Sequence, residues 1–226
     1  LERAVAEGYP LPRTSTGVHL NPIEGVAHLN VTKLGRPDDS PFNLVDPVEL
    51  GNAEREGRRQ VWMYEEAFRK YVPGFESARV IDIGARVGVR ETRLIHGDAV
   101  LTEAQVRACE KPADAIAISS WPLENHGRGR TTSWEFLPDD EWYGIPWGCL
   151  VVRGFDNLLV AGRNLSAEHA AQASVRVAGP CMALGEAAGA GAVASLAHGG
   201  DARAVNVEAL RAQLLAAGAI LDPCWN

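Results

Sequence analysis

The chain has 226 residues, 46% of them hydrophobic and 23% charged, a composition that builds a core and is not that of a disordered segment. Its net charge of −7 argues against nonspecific binding to nucleic acid or to an anionic membrane, which needs a basic face, and leaves room for a local basic pocket only. The four cysteines, Cys109, Cys149, Cys181 and Cys224, form no C-x-x-C pair and have no histidine cluster beside them, so no metal site is expected and a reducing, cytoplasmic setting is the simplest reading.

The first residues lack the apolar run of a signal peptide, and no stretch of about 18 uninterrupted apolar residues suggests a membrane span. The chain begins with Leu1 rather than Met, which suggests a first residue inside a longer translated product. Residues 9–25, with three prolines and two glycines, read as loop. Residues 26–34 alternate: Ala27, Leu29 and Val31 face one way, and His28, Asn30 and Thr32 the other. That pattern predicts a half-buried strand whose polar face is either solvated or lines a cavity. Residues 38–47 read as loop. Asp46, Pro47 and Glu49 then form a helix start, followed by Val61, Tyr64, Phe68 and Tyr71 at helical spacing and a stop before Pro73-Gly74. The charged run "EREGRRQ" on that helix reads as a solvated face. Strands are predicted at 79–84, 93–101 and 114–119, with Thr102 and Gln105 capping a short helix between the last two.

Residues 121–146 are loop-rich and hold three tryptophans; so long a loop is functional or disordered, and its aromatics argue for packing. "CLVV" at 149–152 and "LLVAG" at 158–162 are predicted strands, the second apolar on both faces as in the middle of a covered sheet. A helix is expected from Gly179-Pro180 to residue 195, with Glu186 its only charged residue from 181 on. Gly185, Gly189 and Gly191 each cost about 1 kcal/mol against alanine there, a cost tolerated where another backbone or a ring must come close, or in a tightly packed core helix. Gly162 lets the backbone pass close to a ligand, and the helix start favours an electron-rich oxygen. Between them lie Arg163, Asn164, Ser166, His169, Gln172, Ser174 and Arg176, donors placed as in the ligand crevice of an α/β sheet. His169 taken alone reads as structural or surface.

The blocks at 88–102, beginning "GVRETRLIHGD", and at 143–194, containing "LLVAGRNLS" and "GPCMALGEAAGAGAVA", resemble the C-terminal half of FAD-dependent oxidoreductases, the large family related to the fumarate reductase and glutathione reductase flavoproteins. The likeness extends over residues 26–218. It implies an interrupted plan: an N-terminal β-α-β piece with G-x-G-x-x-G on the ADP part of FAD, an inserted substrate domain, and a returning strand and helix. The fold implied here is therefore α/β (α+β), with a substrate-type domain carrying a mixed sheet at 1–147 and the closing part of a Rossmann-like FAD-binding domain at 148–226. The fingerprint itself is missing: Gly84 and Gly88 lack its spacing, and the glycine-rich run after Gly185 lies inside a helix.

By resemblance, Gly162, Arg163 and Asn164 would contact the ribityl or phosphate region of FAD. Gly179, Pro180, Cys181, Met182 and Ala183 would face the pyrimidine edge of the ring, with Ser174 and Arg176 assisting. His126 would orient substrate or move a proton, unless it is an exposed loop histidine. Arg90, in a block with Glu91 and Arg93, would form buried ion pairs or bind an anion. The activity implied is hydride transfer between a small organic substrate and FAD, in a subunit or fragment whose partner polypeptide carries G-x-G-x-x-G. The alternative is a noncatalytic interaction subunit that has lost flavin binding. Neither nucleic acid nor a membrane is expected as a partner.

Overall fold

A computed structural model of the chain describes residues 1–125 and 132–223. The described residues form two units, residues 1–89 with Thr132 and residues 90–125 with 133–223.

The first unit contains α1 (Glu2–Ala6), the antiparallel pair β1 (Val18–Leu20) and β2 (Ala27–Leu29), and the long helix α2 (Pro47–Tyr71). Local chemistry starts and stops α2 as the sequence predicts. The Asp46 side chain accepts from the Val48 and Glu49 N–H groups, Pro47 opens the first turn, and the chain leaves at Val72. Tyr64, Ala67 and Phe68 of α2 pack on Ala4, Leu11 and Val31.

The strand expected at 26–34 shrinks to three residues, and β1 forms inside the stretch read as loop. The cause is Gln60. It stands in the run read as solvated but is buried. It accepts from Lys33 N–H at 3.0 Å and donates to Lys33 C=O at 2.8 Å, so a helix side chain replaces a neighbouring strand. Residues 79–84 form no strand for the same reason. Val80 N–H donates to Glu65 at 2.8 Å and Val87 N–H to Glu54 at 2.7 Å, both on α2. Among the described residues, no backbone group from Arg79 to Arg86 bonds to backbone. A cleft of about 1150 Å³ lies within this unit. Val61, Tyr64 and Phe68 line it, as do residues of both faces of the predicted strand, His28, Asn30 and Thr32 together with Ala27, Leu29 and Val31.

The second unit runs α3 (Glu103–Arg107), β3 (Ala115–Ser119), β4 (Leu123–Asn125), β5 (Ser133–Glu135), β6 (Tyr143–Pro146), α4 (His169–Val175), α5 (Ala178–Ser195) and α6 (Val207–Ala216). The Thr102–Gln105 capping box of α3 is present. β3 pairs antiparallel with β6, and β4 with β5. Leu101, Ile116, Tyr143, Ile145, Leu150, Leu165, Leu184 and Leu210 form the core. Helices and antiparallel strands both contribute, so the chain is a mixed α and β protein.

Three predicted strands of this unit are reduced to isolated bridges. Residues 93–101 bridge only at Gly97–Val152 and Leu101–Ala167, the latter parallel. "CLVV" begins in a 3₁₀ turn, Trp147–Cys149. "LLVAG" meets it at the single bridge Val151–Leu159, with Leu158 exposed. The covered sheet expected around 158–162 is therefore not formed among the described residues. A strand in the middle of a covered sheet has a neighbour on each side, and within the unit this segment pairs only with 150–152. α4 lies in the stretch between the predicted strand end and helix start, to which the sequence assigned no element.

α5 starts one residue before Gly179. It packs on β3 and α6 through Leu184, Ala187, Gly191 and Ser195. A Cβ at Gly191 would overlap the Trp147 ring, so here the glycine serves the core. By length and composition residues 178–198 could cross a membrane; the opposite face, with Met182, Val193 and Leu196, is exposed. The units divide at 89/90. The boundary at 147/148 is an expectation from the resemblance, and the division into units does not bear on it.

Candidate functional site

Glu124, on β4, organises the charged centre of the second unit. Its Oε2 lies 3.1 Å from the Arg176 guanidinium and its Oε1 3.6 Å from that of Arg90. The side chains of Arg176 and Glu124 are 9% and 12% exposed, and that of Arg90 37%. Among the described residues, three guanidiniums (Arg90, Arg163 and Arg176) and two carboxylates (Glu124 and Glu91) act on this centre, which leaves it positive. Burial, and then the charge of Arg90, hold the Arg176 guanidinium below its ordinary value. Arg90 is ion-paired with Glu124, far away in sequence, but its side chain is partly exposed rather than buried. Glu91 pairs separately with His169 at 2.7 Å, and His169 is largely exposed at the start of α4.

Gln172, fully buried in α4, ties this centre to the turn after residue 162. Its amide donates to the carbonyls of Arg90 and of Arg163, each at 3.0 Å. Gly162 sits at φ +99°, and a Cβ there would meet nothing nearer than Asn164 Oδ1 at 3.9 Å. The turn is open on that side. Asn164 is exposed, and its carbonyl accepts from Ile95 N–H at 3.1 Å. Arg163 is exposed and within electrostatic range of Arg176 and of Cys181, which brings the turn beside the start of α5.

The helix start differs from the sequence reading in one respect. Cys181 N–H already donates to Val177 C=O at 3.2 Å, and Met182 and Ala183 lie beyond it, where the helix takes up its own N–H groups. Pro180 has no N–H. The donors without a partner among the described residues belong to Val177, Ala178 and Gly179, and no side chain caps them. What Met182 offers is an exposed apolar surface, and Gly179, Gly185 and Gly189 leave open space beside it.

Ser174 is fully buried. Its hydroxyl donates to Trp121 C=O at 2.5 Å and meets the Tyr143 hydroxyl at 2.7 Å, so any part it plays at a cofactor is indirect. Burial pushes the Tyr143 hydroxyl and the Cys181 thiol up, and the Cys149 thiol up to about 12. His126 lies outside the described residues. Sequence reasoning missed Glu124, whose pairing is purely tertiary. It also missed Trp134 and Phe136, whose i, i+2 spacing in "SWEF" was a strand-face signal.

An open glycine turn, a positive cluster and an uncapped helix start, brought together in one unit, form a site suited to an electron-rich ligand. A family model for FAD dependent oxidoreductases matches residues 3–214, and the chain belongs to that family. No curated protein and no solved structure matches the chain.

Proposed function

We propose that this chain supplies the flavin-ring side and the substrate side of an FAD-dependent oxidoreductase acting on a small organic molecule. The observation that carries the reading is the open surface shared by the Gly162 turn and the first turns of α5, in a member of this family. Its residues fit half of FAD. Gly162, Gly179, Gly185 and Gly189 leave room for a ring and ribityl chain, and the Ala178 and Gly179 N–H groups, the α5 dipole, Arg163 and Arg176 favour negative charge at a pyrimidine edge. FAD, when bound, supplies the hydride chemistry. The buried Gln172 and Glu124 hold the Arg163 turn, Arg90 and Arg176 in place. His126 is the candidate for moving a proton.

The ADP half needs a G-x-G-x-x-G segment, which residues 1–226 do not contain. It comes from elsewhere in the same polypeptide or from a second one, and its β-α-β unit covers the exposed face of α5 and pairs with the 158–162 segment. Residues 148–226 then complete the cofactor domain and 1–147 serve the substrate, in a cytoplasmic protein. The test is the visible absorbance of the complete polypeptide purified from its native source. A yellow protein that is bleached by a two-electron reductant supports the reading. A colourless, well-folded protein that takes up no added FAD favours an interaction subunit.

A further inference from the structure

Three aromatic rings lie in a row along β5 and the segment before β4: Trp121, Trp134 and Phe136. Trp121 and Trp134 lie 6.0 Å apart, centroid to centroid, at 68°, and Trp134 and Phe136 lie 6.2 Å apart at 19°, nearly parallel. They are 40%, 43% and 73% exposed. The row is built in rather than left over. Trp121 C=O accepts from buried Ser174, and its N–H donates to Ser119 Oγ at 3.2 Å. Glu135, on the opposite face of β5, is ion-paired with Arg107 of α3, which fastens the hairpin to the body of the unit.

The hairpin register sets Trp134 opposite Glu124. Directly opposed residues share a face with their Cβ atoms about 5 Å apart, so the row borders the Arg90–Glu124–Arg176 cluster. Among the described residues that cluster sets the guanidiniums of Arg90 and Arg176 against the Glu124 carboxylate, and Arg90, 37% exposed, faces solvent more than Arg176, 9% exposed. Exposed parallel rings beside a fixed excess of guanidinium charge match one ligand chemistry: a flat aromatic system bearing a carboxylate, which stacks on the rings and meets a planar fork of donors.

We propose that this face binds a planar aromatic carboxylate, with its ring on Trp134 and Phe136 and its carboxylate toward Arg90, as the substrate class of the enzyme. The substrate role rests on the oxidoreductase reading; the binding itself does not. The probe is 2-naphthoate, followed by tryptophan fluorescence and calorimetry on the chain. Saturable binding is expected, with Trp134→Ala, Phe136→Ala and Arg90→Gln each weakening it about tenfold or more while thermal melting shows each variant folded. Neutral 2-naphthol and non-aromatic cyclohexanecarboxylate should each bind about tenfold more weakly than 2-naphthoate. Equal binding of 2-naphthoate and 2-naphthol, or unchanged binding by folded Phe136→Ala and Trp134→Ala, overturns the proposal. Flavin loading of the complete polypeptide is measured in parallel by visible absorbance. If Trp134→Ala abolishes that as well, the face belongs to the flavin and the substrate assignment falls, whereas loss of naphthoate binding with flavin retained supports it.

Discussion

Gly162 was readable from the sequence as a glycine that matters, but not why. Its φ of +99° is a conformation that side chains rarely adopt, while the space beside it is open. Gly162→Val therefore cannot isolate a steric block of a cofactor, because the backbone itself is strained. Gly162→Ala is expected to cost about 1–2 kcal/mol in chemical unfolding, with or without flavin. Glu124 makes a sharper case. Glu124→Gln leaves a buried Arg176 and a neighbouring Arg90 without their shared counter-charge, and a loss of about 3 kcal/mol or more is expected by urea denaturation. Retention of full stability would mean that the cluster is screened by solvent. Cys149 supplies a pH signature. Its thiol ordinarily titrates near 9 and is pushed up to about 12 by burial. The unfolded chain thus gives up this proton first, and the folded state holds it. Stability from this group is complete below pH 9 and falls as pH rises toward 12, by up to about 1.4 kcal/mol per pH unit. The urea midpoint should decline with that slope, and Cys149→Ala should flatten it; an unchanged slope would show that other groups carry the effect. The sequence displays a cysteine and says nothing of the shell that raises it.

At the scale of elements, what was legible was local. The start of α2 at Asp46-Pro47 and the capping box of α3 depend on residues within one turn, and both form as read. The strands that failed, 79–84, 93–101, 149–152 and 158–162, depend on a neighbour supplied by another part of the chain. β-branched runs announce a willingness to be extended, but at Val80 the side chain of Glu65 answers the backbone instead, as Gln60 does at Lys33 and Glu54 at Val87. α5 carries glycines of two kinds that its sequence cannot separate. Gly191 faces the Trp147 ring, whereas Gly185 and Gly189 face open space. Gly191→Ala should lower the melting temperature of the chain by several degrees, at a cost of about 1–3 kcal/mol for overpacking. Gly185→Ala and Gly189→Ala should raise stability by about 0.5–1 kcal/mol through helix propensity, yet weaken whatever must approach that face. Destabilisation by all three would place Gly185 and Gly189 in a packed environment and remove the open face.

For the whole molecule, family and fold class were both accessible from the sequence: the blocks at 88–102 and 143–194 pointed to the family whose model matches residues 3–214. The two-unit division at 89/90 was not accessible, because it depends on which side chains close which core. The central claim is that this chain holds the ring end of a flavin site and lacks the means to hold its ADP end. The most direct measurement is a titration of residues 1–226 with FAD, followed by flavin fluorescence, with and without a segment bearing G-x-G-x-x-G from the same polypeptide or its partner. The account predicts binding weaker than about micromolar by the chain alone and stoichiometric binding once that segment is supplied. Submicromolar FAD binding by residues 1–226 alone, or no binding even with the segment, would contradict it.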